Sequence, residues 1–490
     1  MTRLALTQGA YTARSIIADA QRAVNLYAEK NPPDALVPFT HYNAPGLVAL
    51  GSSPGQPGRG LYMANSGDLY LVAGQSVYYV SPAWERTQIG IIGTASGIVS
   101  MADNGTTAVL VDGSPNGYQI DLTTRVISQI TPATNSPPIG SGATYAFYGA
   151  NRVDVLDGYI LLNQPGTRNF YSTYLNEIVF DALYFAAKNG YSDNLVGVVV
   201  TRRTIWLIGE RTTEIWFNAG AADFPFQIMP GPFIQHGSMV WSSIAQADGR
   251  IFWLAQDQAG KNVIARAEGY QARSISTPAM QVALDSYSTT TDAQGFCFQF
   301  GGHTFYQLNL PTADRSWRWD ESTELWHECP YTDGDGVEHR HRVACAAYAY
   351  GLNVGADWET GQLYSIDPDA YTDAGAPMQF RRGFPHIMAD GKRVIYPGFV
   401  LDVQAATSPD TTAAPDTGPL VWLRWSDDRG ETWSNAIAQS LGATGQYLSQ
   451  PQWNRLGMAR DRVFEVYGTI PGKLAINGAF LDPAPIPMTS

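Results

Sequence analysis

The residues best suited to chemistry lie near the C-terminus, in the segment WSDDRGETWS that runs from residue 425 to residue 434. Hydroxyl, carboxylate and glycine positions alternate there with other residues, in the order Ser426, Asp428, Gly430, Thr432, and Trp433 follows directly. Two roles suit this pattern. The carboxylates could belong to a glycosidase, or the segment could be a turn whose side chains hydrogen-bond to the backbone.

The spacing of these residues resembles the Asp-box of sialidases and other β-propeller proteins. In such a box the Asp and Ser side chains hold the turn, Gly adopts a backbone angle that other residues resist, and Trp packs beneath the hairpin. A sialidase repeats the box in several blades and also needs an arginine cluster and a Tyr–Glu pair. This chain has one good copy and a degenerate echo, WDESTELW at 319–326. We therefore interpret residues 426–433 as a structural turn and predict no catalytic residues.

Two further segments carry residues that bind metals in other proteins. His339 and His341 lie near Cys345, but zinc requires three or four ligands at suitable spacing, and no second cluster follows. Asp333 and Asp335 resemble the start of a calcium loop that lacks the later acidic ligand. The sequence therefore predicts no metal site and no cofactor, and we expect a charged strand and a hairpin turn instead.

The size and composition of the chain indicate more than one all-β domain. Its 490 residues exceed the length at which a single core usually stops growing, and 48 glycines with 12% aromatic residues favour strands and turns. The three cysteines form no disulfide framework, no signal peptide is evident, and no apolar run reaches the ~18 residues of a membrane helix. We expect synthesis in a reducing cytoplasm and no membrane insertion.

The net charge of −13 limits how the chain can meet nucleic acid. Affinity for DNA comes largely from cations that replace the counterions of phosphates. The chain is therefore not expected to coat DNA, although it can surround a duplex without holding it.

A hairpin pattern recurs along the chain and indicates a propeller. A glycine-containing turn precedes an apolar strand, and a second turn and strand follow. The starts of the seven copies lie about 37 to 53 residues apart, close to the length of a propeller blade. We predict a β-propeller of six or seven blades over residues 51–390. Residues 1–50 are predicted to form an arm or part of a second β-domain, and residues 391–490 a C-terminal β-domain.

Local patterns give further expectations. Apolar periodicity predicts helices over residues 15–27 and 180–188, and Thr277-Pro278 predicts a capped helix that reaches Leu284. Turn-rich composition predicts exposed loops at 131–144 and 404–419. The second loop is predicted to be the mobile tip of a long hairpin between strands 393–403 and 420–426.

A series of blocks resembles the tail hub proteins of short-tailed bacteriophages, a family also called tail accessory or packaged-DNA stabilisation proteins. The blocks cover most of the chain in the expected order. They include AQRAVNLYAEKNP (20–32), HYNAPGL (41–47), FDALYFA (180–186), SDNLVGV (192–198), WLIGERTTEIW (206–216), WSDDRGETWS, RLGMARDRVFEV (455–466) and INGAFLD (476–482).

The resemblance implies a non-enzymatic structural protein of the virion tail, assembled in the bacterial host cytoplasm. Such proteins form a homo-hexameric ring below the head–tail adaptor, extend the DNA channel, help to retain the packaged genome and conduct it during ejection. They also contact the tail needle or tip and the tailspikes or fibres. Their subunit is a β-propeller with an additional β-rich domain built from the chain ends. The alternative is a carbohydrate-binding or sialidase-like propeller of a phage tail.

A DNA conduit must let the duplex slide. Each strong phosphate contact would add to a salt-dependent hold, so we expect an acidic or neutral surface toward the channel, through which duplex DNA passes without tight binding. The alternative is that the charge of −13 only keeps the chain soluble before assembly. The loops at 131–144 and 404–419 are candidates for a constriction or for contacts with neighbouring subunits, or are simple exposed loops.

Overall fold

The computed structural model describes residues 2–4, 6, 8–12, 20–256, 260–404, 419–442, 450–470, 472–481 and 484–485. Strands dominate this part of the chain. The helices described are α1 (Pro132–Asn135), α2 (Pro278–Ser286) and one 3₁₀ turn, Trp241–Ser243. No described helix is long and apolar enough to cross a membrane.

The first fifty residues contribute short strands, several of which pair with distant parts of the chain. They are β1 (Thr2–Leu4), β2 (Tyr11–Thr12), β3 (Ala20–Gln21), β4 (Ala23–Val24), β5 (Leu26–Lys30), β6 (Phe39–Asn43) and β7 (Gly46–Leu50).

Six antiparallel four-stranded blades follow in chain order. Blade one is β8 (Gly58–Met63), β9 (Leu69–Ala73), β10 (Ser76–Val80) and β11 (Arg86–Ile91). Blade two is β12 (Ser100–Asp103), β13 (Thr107–Val111), β14 (Gly117–Asp121) and β15 (Ile127–Gln129). Blade three is β16 (Val153–Leu156), β17 (Tyr159–Asn163), β18 (Asn169–Tyr174) and β19 (Glu177–Ala187). Blade four is β20 (Leu195–Thr201), β21 (Thr204–Gly209), β22 (Thr213–Asn218) and β23 (Phe226–Ile234). Blade five is β24 (Ala245–Ala247), β25 (Arg250–Gln256), β26 (Asn262–Glu268) and β27 (Gln271–Ser274). Blade six is β28 (Gln294–Phe300), β29 (His303–Leu310), β30 (Arg315–Asp320) and β31 (Leu325–Glu328).

The seventh blade combines the two ends of the propeller. After a small hairpin of β32 (Tyr331–Thr332) and β33 (Glu338–His339), it uses β34 (Val343–Ala349), β35 (Leu352–Asp357) and β36 (Leu363–Asp367). Its fourth strand is β7, which pairs antiparallel with β36 from Leu50 opposite Leu363 to Gly46 opposite Asp367. Within the described residues the propeller therefore has seven blades, and a strand from the N-terminal segment completes the last one.

Seven buried apolar clusters lie between consecutive blades, and the last joins blade seven to blade one through residues such as Leu71 and Val354. Middle strands are thus covered on both faces. β9 and β21 are buried along their whole length. A strand buried on both faces reads as a continuous apolar run, which explains the apolar hairpins of the sequence.

A shared turn joins the third and fourth strands of blades two and six and the second and third strands of blade seven. Its sequences are DLTTR, DESTE and DWETG. The aspartate carboxylate accepts a hydrogen bond from a backbone N–H two or three residues later, and the fifth residue has a positive φ and donates its N–H to the aspartate carbonyl. The segment 319–326, a degenerate echo of the Asp-box, contains one of these turns. The aspartates are Asp121, Asp320 and Asp357, and the fifth residues are Arg125, Glu324 and Gly361.

The rest of the chain forms a β-sandwich. Its strands are β37 (Thr372–Asp373) and β38 (Ala376–Pro377), which connect it to the propeller, and then β39 (Gln379–Gly383), β40 (Ile387–Met388), β41 (Val394–Ile395), β42 (Gly398–Gln404), β43 (Leu420–Ser426), β44 (Ile437–Ser440), β45 (Gln452–Asn454), β46 (Met458–Ala459), β47 (Asp461–Thr469), β48 (Ala475–Leu481) and β49 (Ala484–Pro485).

The two sheets of the sandwich both include N-terminal strands. One has the order β45-β42-β48-β6-β5, with β1 also on β48. The other has the order β4-β39-β47-β43-β44, and β4 also pairs in parallel with β31 of blade six, Val24 lying opposite Glu328. One sandwich sheet is therefore continuous with a propeller blade. The predicted all-β fold, with a propeller and a second β-domain that uses both chain ends, is confirmed, whereas the limits at residues 50 and 390 stay predictions.

Several local expectations are wrong. Residues 20–27 form strands β3, β4 and the start of β5, and residues 13–19 lie outside the described part. Residues 180–188 lie almost wholly in β19, where Tyr184 packs on Phe224 with ring centroids 5.5 Å apart. Sheet pairing here overrides the helical spacing of apolar residues. The helix after Thr277 is confirmed, because the Thr277 side chain accepts a hydrogen bond from the Met280 N–H.

The prediction of a long hairpin around residues 404–419 is also wrong, because the two strands that would form it, β42 and β43, lie in different sheets. Residues 405–418 themselves lie outside the described part of the chain. The loop at 131–144 contains α1, and its end runs beside β19, where Ala182 N donates to Thr144 O over 2.7 Å.

The closing strand offers a direct test of the ring. Leu47 is buried between blades six and seven, whereas its neighbour Val48 is 43% exposed. We expect Leu47→Ala to lower the free energy of unfolding by about 2–5 kcal/mol, because it leaves a cavity at the seam. Val48→Ala is the matched control and should cost less than about 1 kcal/mol. Equal shifts of the urea midpoint for the two variants would contradict a closure that depends on this strand.

Candidate functional site

The Asp-box residues form a hydrogen-bonded turn at the end of β43. The Ser426 hydroxyl donates to Asp428 Oδ1 over 2.7 Å and accepts from the Gly430 N–H over 2.7 Å. The Thr432 N–H donates to Asp428 Oδ1 over 2.8 Å, and the Thr432 hydroxyl donates to Oδ2. Gly430 has a φ of 106°, in the region that favours glycine.

The protonation of Asp428 follows from these contacts. Hydrogen bonds from the Thr432 and Ser426 hydroxyls and from the Thr432 N–H lower the pKa of Asp428 to about 2. A general acid needs a pKa near the working pH. Asp428 is ionised at neutral pH and its oxygens are engaged by the turn, so the arrangement suits a structural carboxylate.

The two residues that flank Asp428 point to a second segment of the chain. Asp427 accepts two hydrogen bonds from Arg462, over 2.6 and 2.8 Å. The Arg429 guanidinium donates to Asp461 over 2.6 Å, and His386 Nδ1 lies 2.9 Å from the same carboxylate. The Asp-box turn is thus joined by crossed ion pairs to the start of β47, within the block RLGMARDRVFEV.

Arg462 is the buried centre of this corner, with 2% of its residue surface exposed. Its guanidinium donates to the Leu456 carbonyl and lies over the rings of Tyr396 and Trp425, at 4.7 and 5.2 Å from their centroids. A planar guanidinium can stack on aromatic rings and bind a carboxylate at once, which lysine cannot do equally well.

A chain of alternating charges runs from the Asp-box to blade six. It begins where Arg424 lies over the Trp433 ring, 4.5 Å from the centroid. Successive partners then alternate in sign, and the last step is a two-bond contact of 2.6 and 2.8 Å. The order is Arg424, Glu465, Arg381, Glu338, Arg22, Glu328.

These charges link the two domains. Glu328 ends the outer strand of blade six, Arg22 directly precedes β4, and Arg381 lies on β39. Burial alone would raise the pKa of Glu338, but Arg22 and Arg381 hold it below its ordinary value. The side chains therefore stay charged where the propeller meets the sandwich.

The predicted metal-binding candidates have other partners. His339 lies between Asp314 and Asp333, with nitrogen–oxygen distances of 2.7 and 3.1 Å, and these contacts raise its pKa. His341 is buried, and burial raises the pKa of Cys345 to about 12. Within the described ranges, no three His, Cys, Asp or Glu side chains converge as metal ligands. The Asp335 N–H donates to Asp333, as in an ordinary turn.

A cavity of about 580 Å³ lies at the turns of blades four, five and six and bears on the carbohydrate alternative. Four arginines and three glutamates line it, with the half-exposed Tyr270. Three of the four arginines form ion pairs, since Glu321 lies 2.5 Å from Arg266 and 3.0 Å from Arg250, and Glu324 lies 3.7 Å from Arg273. Its charged residues are Arg202, Arg250, Arg266, Arg273, Glu268, Glu321 and Glu324.

Comparison with known families places both domains. The model for the bacteriophage P22 Gp10 β-propeller matches residues 2–371, and the model for the Gp10 β-sandwich matches residues 379–482. The chain belongs to the bacteriophage P22 Gp10 family. It is therefore a phage stabilisation protein with a structural role in the virion, and the predicted resemblance is confirmed.

Solved structures give weaker likenesses. A chain of the mitotic checkpoint complex aligns with a TM-score of 0.41 and 10% identity over 69% of this chain and 98% of that one. U3-55K aligns with a TM-score of 0.41 and 10% identity over 66% and 99%. The designed protein Ika8 aligns with a TM-score of 0.38 and 9% identity over 66% and 99%. No curated protein matches the chain.

The family blocks that looked separate in the sequence meet in the structure. Lys188 is buried, and its ammonium binds Asp193 and the Thr212 hydroxyl, which joins the blocks 192–198 and 206–216. The Asp-box block likewise binds the block 455–466 through Arg462. The sequence alone did not identify Arg462 or Lys188 as structural residues. Arg462 lies within an apolar strand and Lys188 directly follows one, and neither position indicates which carboxylate the cation will bind.

The charge chain predicts a pH dependence of stability. Because the pKa of Glu338 is lower in the folded chain than its ordinary value of 4.5, ionised Glu338 stabilises the fold above that pH. This contribution is lost as the pH falls through the folded pKa. We expect Glu338→Gln to lower the free energy of unfolding by about 1–2 kcal/mol near neutral pH, and the deficit relative to wild type should shrink below pH 4.5.

Urea denaturation at a series of pH values would measure this deficit. The exposed Glu431 supplies the control, and Glu431→Gln should give a small difference that varies little with pH. A Glu338→Gln deficit that stays constant from neutral pH to below pH 4 would contradict a role for its charge.

Proposed function

We propose that the chain is a non-enzymatic subunit of a homo-hexameric ring in the phage tail. The ring lies below the head–tail adaptor, extends the DNA channel, helps to retain the packaged genome and conducts it during ejection. It also binds the tail needle or tip and the tailspikes or fibres.

The observation that carries this proposal is the joining of propeller and sandwich into one body. Strand β4 belongs to a sheet that runs from blade six into the sandwich, and the alternating charges from Arg424 to Glu328 follow the same path. A tail component that bears the load of a packaged genome has to resist relative movement of its domains. A carbohydrate-binding protein or an enzyme would not need its two domains to be joined by a shared sheet.

The roles of the Asp-box residues fit the same proposal. Ser426, Asp428, Gly430, Thr432 and Trp433 shape a turn whose flanking residues pair with Asp461 and Arg462. We propose that the box orders the outer corner of the sandwich and performs no catalysis.

The charge of the chain supports retention without tight binding. With −13 overall, a ring of several copies repels the phosphates of a duplex that passes through it. The repulsion is short-ranged, since the Debye length is ~8 Å at physiological salt. Retention would then come from a constriction or a separate plug.

The first test is made in the virion. In particles assembled without this chain, we expect the packaged genome to be lost, because the channel lacks its lower ring. Cryo-electron microscopy of complete particles should show six copies below the adaptor. Complementation with the wild-type chain is the control. Particles that keep their DNA without the chain, or a chain absent from the tail, would refute the proposal.

Carbohydrate binding is a second candidate, favoured by the cavity of blades four to six. Four arginines and three glutamates line it, and Tyr270 is half exposed, so the cavity offers cations and an aromatic face to an acidic sugar. The test is isothermal titration of the purified chain with carboxylated monosaccharides. Binding that Arg202→Ala with Arg250→Ala abolishes would support this candidate, and no binding by the wild type would dismiss it.

A further inference from the structure

One corner of the sandwich carries exposed cations among exposed apolar residues. Met388, Ile395 and Met458 are 59%, 42% and 43% exposed. Around them lie four exposed cations that make no ion pair within the described residues, whereas the nearby Arg429 and Arg462 are paired. We call this surface the basic tip, and its members are Met388, Lys392, Arg393, Ile395, Arg455, Met458 and Arg460.

The strand register places members of the basic tip on one face. Ile395 lies directly opposite Met458 in the pairing of β41 with β46, and their neighbours Val394 and Ala459 are buried. Side chains alternate between the faces of a strand pair. Continuing the register by one residue therefore puts Arg393 and Arg460 opposite each other on the exposed face.

Like charges directly opposite each other across two strands destabilise the pair. Two of the nearby acidic residues are engaged elsewhere, and the exposed Asp390 forms no ion pair within the described residues. Asp461 is engaged by His386 and Arg429, and Asp427 is engaged by Arg462. Within the described residues neither Arg393 nor Arg460 forms an ion pair, so both guanidinium groups are available to an anionic partner.

A groove of opposite character lies between blades three and four. It has a volume of about 690 Å³ and is lined by Glu177, Asp181 and Asp223, with no cation among its lining residues. Asp181 accepts hydrogen bonds from the Tyr174 hydroxyl and the Leu183 N–H, so Glu177 and Asp223 are the carboxylates that the groove offers. Leu175 and Leu183, 51% and 76% exposed, lie beside these carboxylates. The groove thus offers carboxylates and apolar side chains together, as the basic tip offers cations and apolar side chains.

The two surfaces belong to different domains of one chain. The basic tip belongs to the sandwich, which joins the propeller at blade six, and the groove is two to three blades away around the ring. Complementary patches at different places on the same chain form a head-to-tail interface, and such interfaces generate rings when the rotation closes.

We propose that the basic tip of one copy docks into the acidic groove between blades three and four of the next copy. This inference rests on the proposed ring and names the surfaces that join its subunits. The occupant of the tip is a second copy of the chain, because the four cations of the tip, with the adjoining Asp390, carry a net +3 and leave −16 on the remainder of a chain of −13. Met and Arg at the centre also suit a protein interface, whereas a DNA-binding surface needs no exposed apolar residues.

Charge reversal with rescue tests the docking. In the full-length chain, Arg393→Glu with Arg460→Glu should weaken self-association about tenfold or more, and so should Glu177→Arg with Asp223→Arg. A chain that carries all four substitutions restores opposite charges across the contact and should recover association. Sedimentation velocity on the purified chain and incorporation into phage particles are the two measurements. Lys30→Glu is the control for a cation reversed elsewhere, and unfolding curves confirm that each variant folds.

The outcomes separate this inference from the proposed ring. If both double variants associate and enter particles as wild type does, or if the fourfold variant does not recover, the docking is wrong. If wild-type particles nevertheless show a ring at the tail, the proposed function stands without it. If reversal of the tip instead abolishes binding of short duplex DNA while association persists, the tip is a nucleic-acid surface and the docking is overturned.

Discussion

The pairing of β7 with β36 is the constraint on which the rest of the molecule depends. A propeller whose blades pack on one another is stable only when the last blade meets the first, and here the fourth strand of the last blade comes from the N-terminal segment. Because β7 is fixed in blade seven, the strands that directly precede it along the chain must lie nearby. These strands, β4, β5 and β6, belong to the two sheets of the sandwich. Ring closure and the union of the two domains are therefore one event in the same short stretch of chain.

Arginine–carboxylate ion pairs join distant segments of the chain. The chain is acidic overall, yet many of its described arginines are held by carboxylates at structural junctions. Arg462 ties the Asp-box turn to β47, and Arg22 joins Glu328 of blade six to Glu338. A buried ion pair adds little stability compared with apolar residues of similar size, but the loss of one partner is costly. Such pairs therefore specify which segments pack together rather than adding much stability. This specificity suits a structural component of a phage particle.

The sequence predicted the architecture because the signals for it are repeated. Seven hairpins gave the propeller, and glycine-rich turns with aromatic strands gave the all-β class. Helical spacing failed at residues 180–188, because a strand with Tyr184 facing a neighbouring blade and Leu183 facing solvent also carries dense apolar residues. The Asp-box was visible as a pattern, but its partners Asp461 and Arg462 lie about thirty residues later, and strand order decides that meeting. The shared turn at Asp121, Asp320 and Asp357 had a readable signature, an aspartate followed three residues later by a threonine.

The origin of the closing strand also sets the order of events on the ribosome. Strand β7 emerges roughly 300 residues before β36, which at roughly 5–20 residues per second means a delay of tens of seconds. During this time the unpaired backbone N–H and C=O groups of β7 are free to pair with the edge strand of another sheet. Neither blade seven nor the sandwich can be completed before their late strands arrive. The N-terminal strands must therefore be kept from pairing with wrong strands until almost the whole chain has been synthesised. Such wrong strands include those of other nascent chains on the same polysome.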